Sequence, residues 1–169
     1  GRACAFGAIV CLGRTVRVRA NLCKSCGACV AACPFGAIHE IDHEVGQVRT
    51  GQAGNVRFVE GELRLGEARC IPVIDAVKAA ADPAQGLVIL DAPPGTECPM
   101  VATARDADVV LLVAEATAFG LADLRVAEQA VRTLGKPAAV VINRADRGDG
   151  RVRDFCDTRG LPVLAEIPY

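Results

Sequence analysis

The residues best suited to chemistry are four closely spaced cysteines followed directly by a proline. Their spacing, C-x2-C-x2-C-x3-C-P, is one by which thiolates hold [4Fe–4S] clusters. Three cysteines separated by two residues on one compact loop reach three irons of the same cubane, and Gly27 and Ala28 keep that loop small. The pattern therefore predicts an iron–sulfur site in the run formed by Cys23, Cys26, Cys29, Cys33 and Pro34.

Five of the six residues that begin at the last of these cysteines recur at matching positions earlier in the chain. The segment CPFGAI at 33–38 repeats CAFGAI at 4–9, so Cys4 takes the place of the fourth cysteine of a first motif. The doubled motif resembles a two-cluster, eight-cysteine bacterial ferredoxin that begins after its first cluster loop. In such ferredoxins the fourth thiolate ligates the other cluster. One cluster is then complete, with the ligands Cys23, Cys26, Cys29 and Cys4. Cys33 is left to contribute to a second cluster.

Two other arrangements of the cysteines stay open. Paired C-x2-C motifs also hold structural zinc, although zinc sites usually separate the pairs by a long spacer. A single cluster that uses Cys33 in place of Cys4 is the other alternative. Elsewhere, we expect Cys11 to be a buried thiol near the cluster, and His39 and His43 to lie at the surface without a role.

Composition argues against several other function classes. The 169 residues carry a net charge of −1 and no basic tract, so nucleic-acid binding is not expected. No apolar run approaches the length of a membrane span, and no signal peptide is apparent. With cysteines in a metal-type spacing, these features favour the cytoplasm. Because residue 1 is glycine, we expect the chain to begin inside a longer gene product.

The elements that position these residues follow from two local patterns. Hairpin-like stretches follow each repeat, with turns at Gly13–Arg14 and near Gly46. After them, a strand-like alternation begins near residue 57, and apolar runs of strand length then alternate with helical patterns, which is typical of a parallel sheet with crossover helices. Buried strands are predicted at 86–90, 108–115, 138–143 and 161–168, and helices at 71–81, 120–135 and 150–160. The predicted fold is α/β, with a small α+β ferredoxin-like domain at 1–47 and a second domain at 48–169.

Polar residues follow the predicted strands, at the sheet edge where ligands bind in open parallel sheets. Asp91 stands at a strand tip, where an acid can hold Mg²⁺, and Gly95 lets a backbone amide approach an anion because it has no Cβ. Glu115 ends the next strand. Asn143 and Asp146 follow the third, where an amide and a carboxylate can pair with adenine or guanine. An ordinary strand-to-turn junction at Asp91 and a turn cap at Asn143 are the alternatives without function.

Cys98 is a further candidate thiol site. Pro99 looks like the first residue of a short helix, so we expect Cys98 to be its N-cap, where the helix dipole favours a thiolate. Such a thiol would ligate or sense a cluster across a subunit contact. A small buried residue is the alternative.

Several segments together make the chain similar to MinD-superfamily P-loop ATPases that contain an inserted ferredoxin domain. These segments are LDAPPGTECP, LLVAEATAFGLADL and VVINRAD. The resemblance implies a partial P-loop NTPase (MinD/ParA-like) sheet over 48–169, Asp91 and Gly95 as Walker B and switch II residues, and ATP and Mg²⁺ as ligands of the full-length protein. Ala116 and Ala118 replace two prolines of the family, and no G-x-x-x-x-G-K-[ST] loop is present. We therefore expect the chain itself to bind nucleotide weakly or not at all.

Three functions remain in view. The first is a nucleotide-dependent iron–sulfur protein in which ATP shifts a homodimer contact and changes how the clusters meet a redox partner, whose identity the sequence does not give. The second is a simple ferredoxin-type electron carrier with an inactive α/β scaffold. The third is a carrier or assembly scaffold for iron–sulfur clusters.

Overall fold

The structure, a computed structural model, describes residues 2–81 and 86–169. These residues form two compact units, which divide between Ala80 and Ala81. That division falls later than the predicted boundary after residue 47, because a hairpin and a helix beyond residue 45 cluster with the first unit. A domain boundary after residue 47 remains a prediction.

The first unit opens with the hairpin expected after Cys4. Strand β1 (Ile9–Leu12) pairs antiparallel with β2 (Thr15–Val18), joined by the two-residue turn Gly13–Arg14. Gly13 has a φ of +60°, a conformation that glycine adopts without a steric penalty. A 3₁₀ helix at Ala20–Leu22 then precedes the cysteine run, and the short helix α1 (Ala28–Ala31) contains Cys29.

A second hairpin is longer than the sequence indicated. Strand β3 (Gly46–Ala53) pairs antiparallel with β4 (Val56–Leu63) over eight residues each. The alternation near residue 57 is confirmed as a strand, but the predicted turn near Gly46 is wrong. Gly46 is instead the first residue of β3 and pairs with Leu63.

Close packing explains why glycine stands at that position. Helix α2 (Ile71–Ala80) lies against the β3–β4 hairpin at Gly46 and Gly61. A Cβ added to Gly61 would lie 2.5 Å from Val73 Cγ1, and one added to Gly46 would lie 2.9 Å from Val73 Cγ2 and would also meet the Glu62 carbonyl. The glycine at 46 therefore admits the helix and does not form a turn.

The second unit is the parallel α/β half. Its sheet has the order β5-β6-β7, with all strands parallel. The elements in chain order are α3 (Cys98–Ala104), β5 (Val110–Glu115), α4 (Ala118–Thr133), β6 (Ala138–Asn143), a 3₁₀ helix (Ala145–Arg147), α5 (Arg151–Arg159) and β7 (Val163–Ile167). Helices α4 and α5 and these three strands confirm five of the predicted elements within a residue or two of their ends.

Helix α4 shows how the sequence specifies this unit. The Thr117 hydroxyl caps it by accepting a 3.0 Å hydrogen bond from the Gly120 amide, which satisfies one of the free donors of the first turn. Gly135, with a φ of +67°, follows its C-terminal end, a common helix stop. Its apolar face forms part of the core, which comprises Met100, Ala104, Leu112, Ala114, Leu121, Leu124, Val131, Val140, Ile142, Val152 and Cys156.

The predicted buried strand at 86–90 is wrong. No strand pairs with this segment in the described part of the chain, and Leu87 and Ile89 are 90% and 83% exposed. An apolar run supplies the propensity for a strand, but a strand also needs a hydrogen-bonded neighbour. Among the described residues, β5 pairs with β6 alone.

The first unit buries few side chains. Within residues 2–81, the buried hydrophobic residues are Ala8 and Val73. A domain with so small a core usually needs disulfides, a metal or an oligomeric partner for stability. In the part of the chain that the structure describes, no helix has the length and apolarity needed to cross a bilayer.

Candidate metal centre

The cysteine run lies on a loop that turns sharply at Gly27. This residue has a φ of +69°, and its carbonyl accepts hydrogen bonds of 3.0 Å from the amides of Val30 and Ala31. Residues with a Cβ rarely adopt this left-handed conformation. Gly27 thus reverses the chain between Cys26 and Cys29, where the C-x2-C spacing requires a compact turn.

Cys4 and Cys33 lie in matching local conformations, as their repeated sequence predicts. The Sγ atom of Cys4 accepts a 3.3 Å hydrogen bond from the Ala8 amide, and that of Cys33 accepts a 3.4 Å bond from the Ala37 amide. In both turns the cysteine carbonyl accepts a 3.3 Å bond from the glycine three residues later. The two glycines have φ values of +65° and +59°. The sequence repeat is therefore also a structural repeat.

These amides favour the deprotonated form of both thiols. The Phe6 amide contributes most to holding the pKa of Cys4 below its usual value, with smaller help from three further amides and against partial burial. The Ala37 amide does the same for the pKa of Cys33. Hydrogen bonds to the charged form of a group stabilise that form. Because the thiolate is the species that binds metal, both sulfurs are prepared as ligands.

The donor set fits an iron–sulfur cluster. Soft thiolate sulfurs with backbone amides directed at them are the ligands such clusters use. Among residues 2–81 and 86–169, no group of three His, Cys, Asp or Glu side chains lies in place to hold a metal ion.

Two other cysteines differ from the expectations. Cys11, expected to be a buried thiol, is exposed in β1. Cys98 is the first helical residue of α3, and Glu97 is the N-cap. The expected cap was one residue late because Pro99 takes the second helical position, which a proline also tolerates. Cys98 is exposed, so its interpretation as a small buried residue is also wrong.

The carboxyl ends of β5 and β6 bring two candidate nucleotide-binding residues side by side. Glu115 and Asn143 are register partners, and Arg144 Nη1 lies 3.2 Å from Glu115 Oε1. The Asn143 Oδ1 atom accepts a 3.0 Å hydrogen bond from the Arg144 amide, the turn cap considered as the alternative. Asp146 Oδ1 accepts a 2.8 Å bond from the Tyr169 amide. The backbone of the chain thus engages both residues assigned to base recognition.

Asp91 and Gly95 lie apart from regular structure. Residues 86–97 contain no helix or strand, and Asp91 is exposed. Gly95 has a φ of +102°, which favours glycine. The expected position of Asp91 at the tip of a strand is therefore not observed.

The sequence did not reveal three side chains that lie next to the cysteine run. Arg69 forms an ion pair with Glu67 and reaches Ser25, while His43 also contacts Glu67. No motif marks these residues, since Glu67 and Arg69 lie in one segment and His43 in another, both far in sequence from the cysteine run. The one signal in the sequence is the presence of His43 among acidic residues, and it was assigned no role.

Comparison with known proteins identifies the cysteine region. Residues 16–39 match the family described as a 4Fe-4S binding domain. Two uncharacterized proteins of Methanocaldococcus jannaschii are similar to the chain. MJ0579 is 27% identical over 153 residues, covering 88% of this chain and 55% of its own length, and MJ0578 is 35% identical over 127 residues, covering 60% and 46%.

The chain spans about half the length of these curated relatives. No solved structure matches it. The matched range of 24 residues contains the whole cysteine run and ends one residue after the second FGAI repeat. The chain therefore contains a ferredoxin-type 4Fe–4S binding domain.

Proposed function

We propose that the chain is the iron–sulfur and partial nucleotide-binding portion of an ATP-dependent redox protein. The observation that carries the redox part is the coincidence of the 4Fe–4S family match with two thiols held in the same amide-lined turn. One cluster is held by Cys23, Cys26, Cys29 and Cys4. Cys33 contributes to a second cluster.

The residues of the chain prepare the site for electron transfer. A bound 4Fe–4S cluster takes up and releases single electrons. The backbone amides after Cys4 and Cys33 favour the thiolate form of both sulfurs and place N–H dipoles against its charge. Such hydrogen bonds to sulfur are one of the ways in which proteins set a cluster potential.

The nucleotide part is supported by the parallel order of β5, β6 and β7 and by the pairing of Glu115 with Asn143 at the carboxyl edge. Ligands bind at this edge in open α/β sheets. We assign base recognition to Asn143 and Asp146, and Mg²⁺ contact and switching to Asp91 and Gly95. ATP and Mg²⁺ are ligands of the full-length protein, which we propose acts as a homodimer.

Metal analysis tests the redox part. Anaerobically purified chain is expected to hold about four irons and four acid-labile sulfides per complete cluster. Reduction with dithionite is expected to produce the EPR signal of a paramagnetic cluster. Zinc in place of iron, or iron without labile sulfide, contradicts the proposal.

A potential measurement tests the nucleotide part. In the full-length protein, the midpoint potential of the cluster is expected to change when MgATP is added, and the Asp91→Asn variant is expected to remove that change. MgGTP is the comparison that decides the base. A potential that no nucleotide alters favours the simple electron carrier.

Exposure of the loop supports a second candidate function, that of a cluster carrier. Cys26 is exposed, and a ligand thiolate at the surface is accessible to an acceptor's cysteines. Incubation with an apo-ferredoxin distinguishes the functions. Stoichiometric transfer of iron and sulfide within minutes favours the carrier, whereas retention of the cluster during repeated reduction and oxidation favours electron transfer.

A further inference from the structure

An arginine is fixed beside the cysteine run by a two-point ion pair. Arg69 Nε lies 2.7 Å from Glu67 Oε1, and Arg69 Nη2 lies 2.6 Å from Glu67 Oε2. The two side chains are 14% and 11% exposed. A two-point pairing of this kind fixes the plane of the guanidinium.

Glu67 is itself held by further donors. Its Oε1 atom accepts 2.9 Å hydrogen bonds from the amides of Ala68 and Arg69, and its Oε2 atom lies 3.2 Å from His43 Nε2. Hydrogen bonds from Arg69 hold the pKa of Glu67 well below its usual range, and the His43 contact adds to this. The carboxylate therefore remains charged near neutral pH and anchors the guanidinium.

The third nitrogen of this guanidinium, Nη1, faces the cysteine loop. Arg69 Nη1 lies 3.4 Å from the hydroxyl oxygen of Ser25, and the Ser25 amide donates a 3.4 Å hydrogen bond to Cys23 Sγ. Ser25 has a φ of +51°, an uncommon conformation for a residue with a Cβ, and such residues are frequent at functional sites. A continuous series of contacts thus joins Arg69 to a cluster ligand.

We propose that the fixed positive charge of Arg69 raises the reduction potential of the cluster held by Cys23. This inference rests on the proposed cluster binding. A reduced cluster carries one more negative charge than an oxidised one, so a nearby fixed positive charge stabilises the reduced form more. The electron comes from an external reductant, and no bond or proton changes at Arg69.

The orientation of the Arg69–Glu67 ion pair supports a raised, not a lowered, reduction potential. Arg69 Nη1 makes the contact to the Ser25 hydroxyl of the loop. The Glu67 oxygens instead accept from Arg69, from the amides of Ala68 and Arg69, and contact His43. The positively charged member of the pair therefore faces the cysteine loop. The negative charge of Glu67 offsets part of the effect of Arg69 on the reduction potential.

Opposite shifts in two variants test the proposal. The full chain is purified anaerobically, and the EPR signal of the reduced cluster is followed in a redox titration. Arg69→Gln is expected to lower the ratio of reduced to oxidised cluster about tenfold at a fixed ambient potential, which is about 59 mV for a one-electron couple. Glu67→Gln is expected to raise the same ratio, and Arg69→Lys to keep it within about threefold of wild type.

Arg49→Gln is the matched control. It removes the same charge from the same unit, where Arg49 pairs with Glu60 and Glu62 on the β3–β4 hairpin. The midpoint potential of the cluster in Arg49→Gln is expected to equal that of wild type. A shift as large as that of Arg69→Gln contradicts a local effect.

The remaining outcomes also decide the matter. An unchanged potential in Arg69→Gln with full iron content overturns this inference and leaves the proposed function intact. A wild-type chain without iron and sulfide overturns both. If Arg69→Gln loses its iron, a raised potential in Glu67→Gln supports the inference, and an unchanged or lowered one overturns it.

Discussion

Cys4 and Cys33, 29 residues apart, occupy turns with the same hydrogen bonds, each sulfur accepting from the amide four residues later, at 3.3 and 3.4 Å. A chain that needed one of these cysteines only as a packing residue would have no use for the second turn. The correspondence implies that both sulfurs serve the same kind of ligand. It also makes the assignment of each cysteine to a cluster open to experiment.

Serine substitution separates the two possible ligand sets. If Cys4 completes the cluster of the run, Cys4→Ser is expected to remove most of the iron and sulfide of that cluster, and Cys33→Ser to leave it. Iron analysis and the EPR signal of the reduced protein measure this. Cys11→Ser is the control, because Cys11 is exposed in β1 and is assigned to no cluster. Loss of the cluster in Cys33→Ser with retention in Cys4→Ser would establish the alternative set of four consecutive cysteines.

Removal of the cluster is expected to loosen the first unit selectively. Within residues 2–45 the one buried side chain is Ala8, so ligand bonds must replace a hydrophobic core. Anaerobic treatment with an iron chelator should abolish the hydrogen-exchange protection of the β1–β2 amides. The amides of β6, whose residues Ala139–Ile142 are buried, are the internal control and should exchange as before. Equal protection of β1–β2 with and without iron would contradict this prediction.

The packing of α2 on the β3–β4 hairpin is expected to tolerate no Cβ at two positions. Gly61→Ala and Gly46→Ala place a methyl group against Val73, and overpacking of this kind costs about 1–3 kcal/mol of unfolding free energy. A Cβ at Gly51, which lies in β3 with Gly46, meets no atom within 4 Å. Gly51→Ala should therefore leave the free energy of unfolding unchanged or raise it. Urea unfolding of the cluster-free chain, followed by circular dichroism, measures all three. Similar midpoints for Gly61→Ala and Gly51→Ala would rule out the close approach.

A buried carboxylate in the second unit predicts a pH dependence of stability. Glu128 is 3% exposed and lies 2.7 Å from Arg132 and 2.9 Å from Arg159. Burial acts to raise its pKa, but the hydrogen bonds from Arg159 and Arg132 outweigh burial and lower it. A lowered pKa in the folded state adds stability above the ordinary glutamate value of about 4.3. That stability is lost as the pH falls through the folded-state pKa.

The Glu128→Gln variant measures this contribution. It is expected to cost about 1–3 kcal/mol at pH 7, and the difference from wild type should shrink as the pH is lowered. Glu166→Gln is the control, because Glu166 also pairs with an arginine, Arg153, but is 43% exposed. Exposed pairs contribute about 0–1 kcal/mol. Urea unfolding of the cluster-free chain from neutral to acid pH gives both values, and a pH-independent effect of Glu128→Gln would contradict the prediction.

Local sequence signals predicted the structure where the cause is itself local. The repeated turns at 4–8 and 33–37 each depend on five consecutive residues, so the repeat in the sequence is also a repeat in the hydrogen bonds. Helix α4 was predicted because its stop at Gly135 and its apolar spacing are visible in the sequence. In each case neighbouring residues contain the whole physical reason.

The errors arose where the cause lies elsewhere in the chain. The 86–90 segment has the apolar run of a buried strand, but pairing depends on a partner that no local pattern reveals. Gly46 resembles a turn residue, yet the glycine is required by the close Glu62 carbonyl of β4 and by Val73 of α2, which begins 25 residues later. Arg69 carries no motif, and its relation to Cys23 exists only because folding brings Ser25 within its reach. Side chains that act at a distance in sequence are the ones that sequence reasoning misses.

The two glycines beneath α2 bear on more than the packing of a hairpin. The helix begins at Ile71, two residues after Arg69, so the depth at which it sits also determines how far the guanidinium reaches toward Ser25. A single methyl group at position 61 would lift the helix and withdraw the charge, without touching any thiol. The midpoint potential of the cluster would then respond to a substitution in β4 that alters no ligand, because the two glycines set how closely α2 packs on the hairpin.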